Sequence, residues 1–143
     1  MAVQVLPMKR AVIICFLAIL GTSCQKAIEK KKENAIITAM TDGQWVITNF
    51  VNNGTVITSD FSSYKFQYYS NKTVDAINNG VVEKTGTWDG DASAMSITAN
   101  FPNAGPTLTL INGTWHIDNN SWTFVVASQT SGSQTKTLRL EKL

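Results

Sequence analysis

From Gln44 onward apolar and polar positions alternate with a period of two, and turn dipeptides recur at roughly 8–12-residue intervals, the spacing of an all-β sandwich or barrel. The alternation predicts strands near 44–51, 55–58, 63–69, 73–78, 81–88, 93–99, 107–111, 114–118, 121–127 and 135–142. Asn53-Gly54, Asn79-Gly80 and Asn112-Gly113 read as type I′ hairpin turns, which need positive φ at both central residues. Asn71-Lys72, Asp89-Gly90-Asp91 and Asp118-Asn119-Asn120 read as further polar turns, Phe101–Pro106 as a loop and Ser128–Gln134 as a mobile polar segment. With nearly every connection hairpin-short, sequential neighbours form a meander, which avoids exposed edges by closing on itself. The expected fold is therefore an all-β, up-and-down antiparallel β-barrel of roughly eight to ten strands.

The same alternation assigns faces. Tyr64, Phe66 and Tyr68 share one side, with Lys65 and Gln67 opposite. Met95 and Ile97, Leu108 and Leu110, Trp115 and Ile117, Trp122 with Phe124 and Val126, and Leu138 with Leu140 are assigned inward in the same way. A membrane-spanning barrel needs strands of about 9–11 residues and aromatic girdles. These strands are shorter and their aromatics fall mid-strand, which favours a barrel with its apolar face inward.

Upstream the pattern changes. Lys26–Met40 consists of good helix formers, with Ile28, Ala35, Ile36, Ala39 and Met40 able to share a stripe, and Asp42-Gly43 offers a stop. A short helix here would cover one open end of the barrel. Before it, Lys9-Arg10 precede the apolar run Ala11–Leu20 and then Gly21-Thr22-Ser23-Cys24. The run is short of the about 20 residues a span requires, and its order reads as a secretory signal. The segment resembles a bacterial lipobox, with cleavage between Ser23 and Cys24 and lipid on the Cys24 thiol. Gly21 stands where that pattern favours an aliphatic residue, with Leu20 one position earlier. The alternative is an ordinary signal peptide that leaves Cys24 free. Met8 is as good a start as Met1. The organisation expected is a lipoprotein signal peptide over 1–23, a lipidated tether and short helix over 24–43, and the barrel over 44–143. Gln25, not Asp, follows the cysteine, which points to an outer membrane lipoprotein on the periplasmic or cell-surface side. Two or more acyl chains, palmitate among them, would make the anchor permanent.

Composition narrows the function. Charged residues are 15% of the 143, against a usual share of about 25%. Lys plus Arg is 12 and Asp plus Glu 10, which gives no nucleic-acid footprint. Lys26, Glu29, Lys30, Lys31, Lys32 and Glu33 crowd one short stretch, either a solvated tether or a patch for anionic headgroups. His116 is the sole histidine and falls on the wet face. Asp89-Gly90-Asp91 lacks the later ligands of a calcium loop. No nucleophile elbow, phosphate loop or dinucleotide fingerprint is present. The expectation is a non-enzymatic protein with no cofactor and no metal, monomeric, held to a membrane through its N-terminus.

Three Gly-x-Trp triplets recur, at Gly43-Gln44-Trp45, Gly86-Thr87-Trp88 and Gly113-Thr114-Trp115. With the Trp-led stretch Trp45–Phe50, the turn Asn53-Gly54, Asp60-Phe61 and the strand Tyr64-Lys65-Phe66-Gln67-Tyr68, the region Gln44–Leu143 resembles the small lipocalin-like lipoproteins of the Bacteroidota. That resemblance implies a lipocalin-like barrel and a structural pair in which Arg139 of the last strand packs over Trp45. Pure packing, with an exposed Arg139, is the other reading. It also implies a small, largely apolar ligand in the barrel mouth, for which Tyr64, Phe66, Tyr68, Trp88 and Trp122 are the candidate lining. Eight aromatics are assigned inward, Trp45, Tyr64, Phe66, Tyr68, Trp88, Trp115, Trp122 and Phe124. They would occupy much of an eight-stranded lumen, which holds at most one small ligand. The alternative is an interaction lipoprotein of the cell envelope with a side-chain-filled barrel, using loops Asn100–Pro106 and Ser128–Gln134.

Overall fold

The computed structural model describes residues 6–143, with side chains from Cys24 onward, so the signal-segment reading of 1–23 lies outside the described side chains. The chain begins with α1 (Leu6–Thr41), followed by β1 (Trp45–Asn52), β2 (Thr55–Val56), a 3-10 turn (Thr58–Phe61), β3 (Tyr64–Tyr68), β4 (Thr73–Asn78) and β5 (Val81–Asp91). Then come β6 (Ser96–Asn100), the one-turn α2 (Pro106–Thr109), β7 (Gly113–Asn120), β8 (Phe124–Ser131) and β9 (Gln134–Lys142). The backbone from Cys24 to Thr41, expected as tether and short helix, is helical throughout.

The sheet is an antiparallel meander that closes: β9 pairs with β1 from Trp45↔Lys142 to Asn52↔Lys136. Eight strands make the barrel, and β2 is only a short flap on β1. The seam between β1 and β3 is thin, with the single register pair Trp45↔Phe66. Beyond it the 3-10 turn supplies what a neighbouring strand would. Ile57 N–H donates to the Phe50 carbonyl at 2.9 Å, and Phe50 N–H donates to Thr58 Oγ1 at 2.9 Å. Backbone groups that would otherwise face an open slot are thereby paired.

Asn53-Gly54 and Asn79-Gly80 are the tight hairpins the sequence predicts, with φ of 49° and 80°, and 50° and 81°. Five other local expectations are corrected. Residues 107–111 do not form a strand. Pro106 starts a helical turn, and the Thr109 hydroxyl donates back to Gly105 O at 2.9 Å, so Leu108 and Ile111 fall on one buried face. Asn112-Gly113 is no hairpin: the Asn112 amide clamps Phe101, accepting its N–H at 2.7 Å and donating to its carbonyl at 3.2 Å. Asp89–Asp91 and Asp118–Asn120 continue β5 and β7, and the chain reverses later, at Ala92–Met95 and Ser121–Thr123. Ser128–Gln134 is mostly ladder, paired to Ser131↔Gln134 around a Gly132-Ser133 turn.

Strand direction alternates, so the barrel has two distinct ends. One carries α1, the β3–β4, β5–β6 and β7–β8 turns and the C-terminus. The other carries the β1–β3 connection, the β4–β5 and β8–β9 hairpins and the Phe101–Asn112 crossing. Phe61 stops that second end from one side, and Phe101, Leu108 and Ile111 from the other, all of them buried.

Candidate functional site

The interior is an aromatic chain. Phe50 stacks on Phe61 with centroids 4.8 Å apart and meets Trp115 edge-on at 6.0 Å. Phe61, Tyr64, Phe66 and Phe101 continue the series at 6.1–6.3 Å, and Tyr68 meets Trp88 edge-on at 5.4 Å. These separations are the ordinary spacing of packed aromatic pairs. Tyr64, Phe66, Tyr68 and Trp88 therefore lie inside, as the alternation predicts, and fill one another's space. No polar or charged residue among the described ones is buried with them. The Tyr64 hydroxyl leaves the core and donates to Glu83 Oε2 at 2.6 Å. Burial first, and that carboxylate second, push its pKa up to about 12. Burial likewise raises the Tyr68 hydroxyl.

Trp122 is not among them. It sits 61% exposed in the β7–β8 turn. The phase of β8 is also the reverse of the expected one. Val125 and Ala127 point inward, while Phe124 and Val126 are only half-buried. Both phases of Phe124-Val125-Val126-Ala127 are apolar, so alternation alone could not choose between them. The irregularity at Ile117/Asn119 in the facing β7 sets the register. That phase carries Arg139 outward, with its guanidinium 4.4 Å from the Phe124 centroid and its Nε 2.9 Å from Glu141 Oε1. Arg139 pairs with Asn49 in the ladder and does not reach Trp45; the cation over Trp45 is Lys142, at 5.2 Å.

Each Gly-x-Trp triplet places its indole in the same way. Trp45 Nε1–H donates to Met40 O at 2.9 Å, Trp88 to Tyr69 O at 3.0 Å and Trp115 to Ile111 O at 2.7 Å. Lys142, Lys72 and Lys136 stand over the three rings at 5.2, 5.2 and 5.4 Å. The first bond ties the end of α1 to the barrel, where Gly43, at φ 81°, ends the helix. Gly86 serves close packing instead: a Cβ there would collide with the Asn100 carbonyl oxygen and come within 2.8 Å of Phe101 Cδ1.

A crevice lies outside the lumen, over the mouth that α1 crosses. Met40 is sunk into the core. One turn earlier, Ile36 Cγ2 takes the space a side chain at Gly90 would fill, 2.7 Å from the position of its Cβ. Between this stretch and the β5–β6 and β7–β8 turns is a crevice of about 480 Å³. Its apolar wall is Ala35, Ile36, Ala39, Met95, Ile117 and Trp122; Lys32, Asp91, Asn120 and Ser121 form its polar edge. Of the candidate lining residues, Trp122 alone belongs to this crevice. The sequence did hold a clue. Asn119-Asn120-Ser121-Trp122-Thr123 sets that indole among turn formers, which marks a hairpin tip more than a strand.

His116 is exposed, with Nε2 3.9 Å from Asp118 Oδ1, on the outer face of β7. Among the described residues no group of three His, Cys, Asp or Glu could hold a metal ion, and no helix is long and apolar enough to cross a membrane. Cys24 is exposed on α1.

The architecture thus defines a class: a closed eight-stranded antiparallel barrel with an aromatic core and a helix across one mouth. The structure is similar to the crystal structure of a DUF4847 family protein from Bacteroides vulgatus, with a TM-score of 0.53 and 11% sequence identity, over 74% of this chain and 96% of that one. At that identity the likeness is one of fold. No protein-family model matches the chain, and no curated protein matches it significantly.

Proposed function

We propose that this chain is a lipocalin-like envelope lipoprotein, acylated at Cys24 and held on the outer membrane, whose barrel takes a small, largely apolar ligand in the crevice beneath α1. The observation that carries the reading is the contrast between the two hollow places a barrel offers. The lumen is packed by its own aromatics, whereas the mouth keeps an apolar recess of about 480 Å³. Such a recess suits an apolar body, with Lys32, Asp91, Asn120 and Ser121 placed to meet one polar end. The role in this reading is binding, as the mainly apolar wall of the recess suits.

Native mass spectrometry of the protein taken from its own host tests this. A retained small-molecule mass is expected, and it should be lost in Ala35→Trp, which fills the crevice without touching the core. A bare mass in both forms overturns the ligand and leaves the second reading, an interaction lipoprotein with a filled barrel. The continuous aromatic packing from Phe61 to Phe101 favours that alternative.

A further inference from the structure

The two ends of the barrel are dressed differently. At the end α1 crosses, each of the three turns carries one large, exposed apolar side chain: Tyr69 after β3, Met95 after β5 and Trp122 after β7. Leu143, after β9, is a fourth, and Ile28 of α1 is a fifth. Tight turns ordinarily carry Gly, Asn, Asp and Ser, so an apolar side chain at every one is not a by-product of turn chemistry. Among the described residues, the large hydrophobics exposed at the opposite end are the aliphatic Val56, Val81 and Val82.

Charge is arranged to match. The acidic groups near the helix-bearing end are largely answered locally. Lys72 Nζ lies 2.6 Å from Asp89 Oδ1, and Lys142 Nζ 3.4 Å from Asp42 Oδ2. Asp91 Oδ1 accepts the Ala94 N–H at 3.0 Å. Lys26, Lys30, Lys31 and Lys32 are all exposed on the helix, against Glu29 and Glu33, and Lys32 borders the same crevice as Met95 and Trp122. Cys24 lies two residues before the first of these lysines.

We infer that the helix-bearing end of the barrel is a membrane-docking face, which rests on an anionic phospholipid surface with Trp122 in the headgroup layer and the α1 lysines over the phosphates. Trp and Tyr favour that layer because their rings are apolar at one side and polar at the other. Basic residues near a bilayer are drawn to anionic lipid. The inference rests on the envelope-lipoprotein reading for the nearness of a bilayer, and it turns an N-terminal tether into a seated protein with a fixed outward end.

Among the described residues every buried hydrophobic lies at Met40 or beyond, so a chain beginning at Gln25 keeps the whole core and can be tested without acylation. Trp45, Trp88 and Trp115 are buried, so a change in indole emission reports Trp122. Mixed with phosphatidylcholine–phosphatidylglycerol vesicles, this chain should co-sediment with a blue-shifted emission that high salt reverses, and pure phosphatidylcholine should bind it weakly. Replacing the four lysines by Gln should weaken binding by about fivefold for each charge. Trp122→Ser should weaken it at unchanged circular dichroism, and Val81→Ser at the far end should leave it unchanged. Absence of binding to the anionic vesicles overturns the inference, as does binding that neither shifts the emission nor responds to Trp122→Ser. Equal binding to both lipids that Ala35→Trp abolishes also overturns it, because the crevice would then be extracting single lipids. Palmitate labelling at Cys24 is read separately: its failure removes the anchor while vesicle binding still decides the surface.

Discussion

Lys136 stands over the indole of Trp115, 5.4 Å from the ring centroid, while its Nζ donates to the Leu110 carbonyl at 2.8 Å. The ring in turn donates to Ile111 O. One lysine of β9 therefore pins both the crossing that stops the far end of the barrel and the tryptophan beneath it. Lys136→Met keeps the stem and removes the charge. It is expected to cost about 1–2 kcal/mol in a denaturant titration, the sum of a partly desolvated cation–π contact and one hydrogen bond. A double-mutant cycle with Trp115→Phe should return a coupling of the same sign; additive effects would show that the two do not interact.

Gly86→Ala and Gly54→Ala separate two uses of glycine. At Gly86 the new methyl meets the Asn100 carbonyl oxygen and Phe101, so β5 and β6 must part, and a loss of several kcal/mol is expected. At Gly54 nothing lies within 4 Å, and the cost is the positive φ of 80° alone, about 1 kcal/mol. Melting temperatures in that order check the assignment; equal shifts would refute it.

Trp88→Ala and Trp122→Ala should differ sharply. Trp88 is 2% exposed, and truncation is expected to cost about 3–5 kcal/mol. Trp122 is largely in solvent, and its removal should stay within about 0.5 kcal/mol. Comparable losses for the two would show that the β7–β8 turn packs inward after all.

The two tryptophans differ in how plainly the chain announces their place. The period of two, the closed meander and the inward set Tyr64, Phe66, Tyr68, Trp88 and Trp115 were legible because one face of each strand is apolar and the other polar. Alternation does not fix the phase of Phe124–Ala127, because both faces are apolar there. Thr107-Leu108-Thr109-Leu110 is equally ambiguous, because a single helical turn and a short strand share that pattern. Ser128–Gln134 looked mobile for want of apolar residues, yet its order comes from backbone pairing, which leaves no mark on side-chain identity. The crevice was the least legible feature, since it needs α1 and two distant turns brought together.

Alkaline titration should expose Tyr64. Its folded pKa, about 12, exceeds its ordinary 10.0, so the stabilisation is complete below pH 10 and is lost as pH rises toward 12. Tyr68 is raised by burial and acts in the same direction. Tyr64→Phe is expected to flatten the fall in stability between pH 10 and 12, measured by urea unfolding at each pH. An unchanged slope would show that the hydroxyl ionises freely in the folded state.

Cys24→Ser should yield a folded barrel that no longer takes up palmitate and is released from the membrane fraction by high salt, since only the docking face would remain to hold it. Retention in high salt would remove Cys24 as the anchor.

The ladder that joins Trp45–Asn52 to Lys136–Lys142 has a kinetic corollary. A chain made amino end first cannot seal its cylinder until the final strand has emerged. Until then β1 has only its short flap, the 3-10 turn and one residue of β3 for company. Its ordered state must therefore arise late and in one step, because the closing contact joins the two ends of the barrel sequence. A chain cut ahead of Gln134 should accordingly stay open and show no cooperative melt.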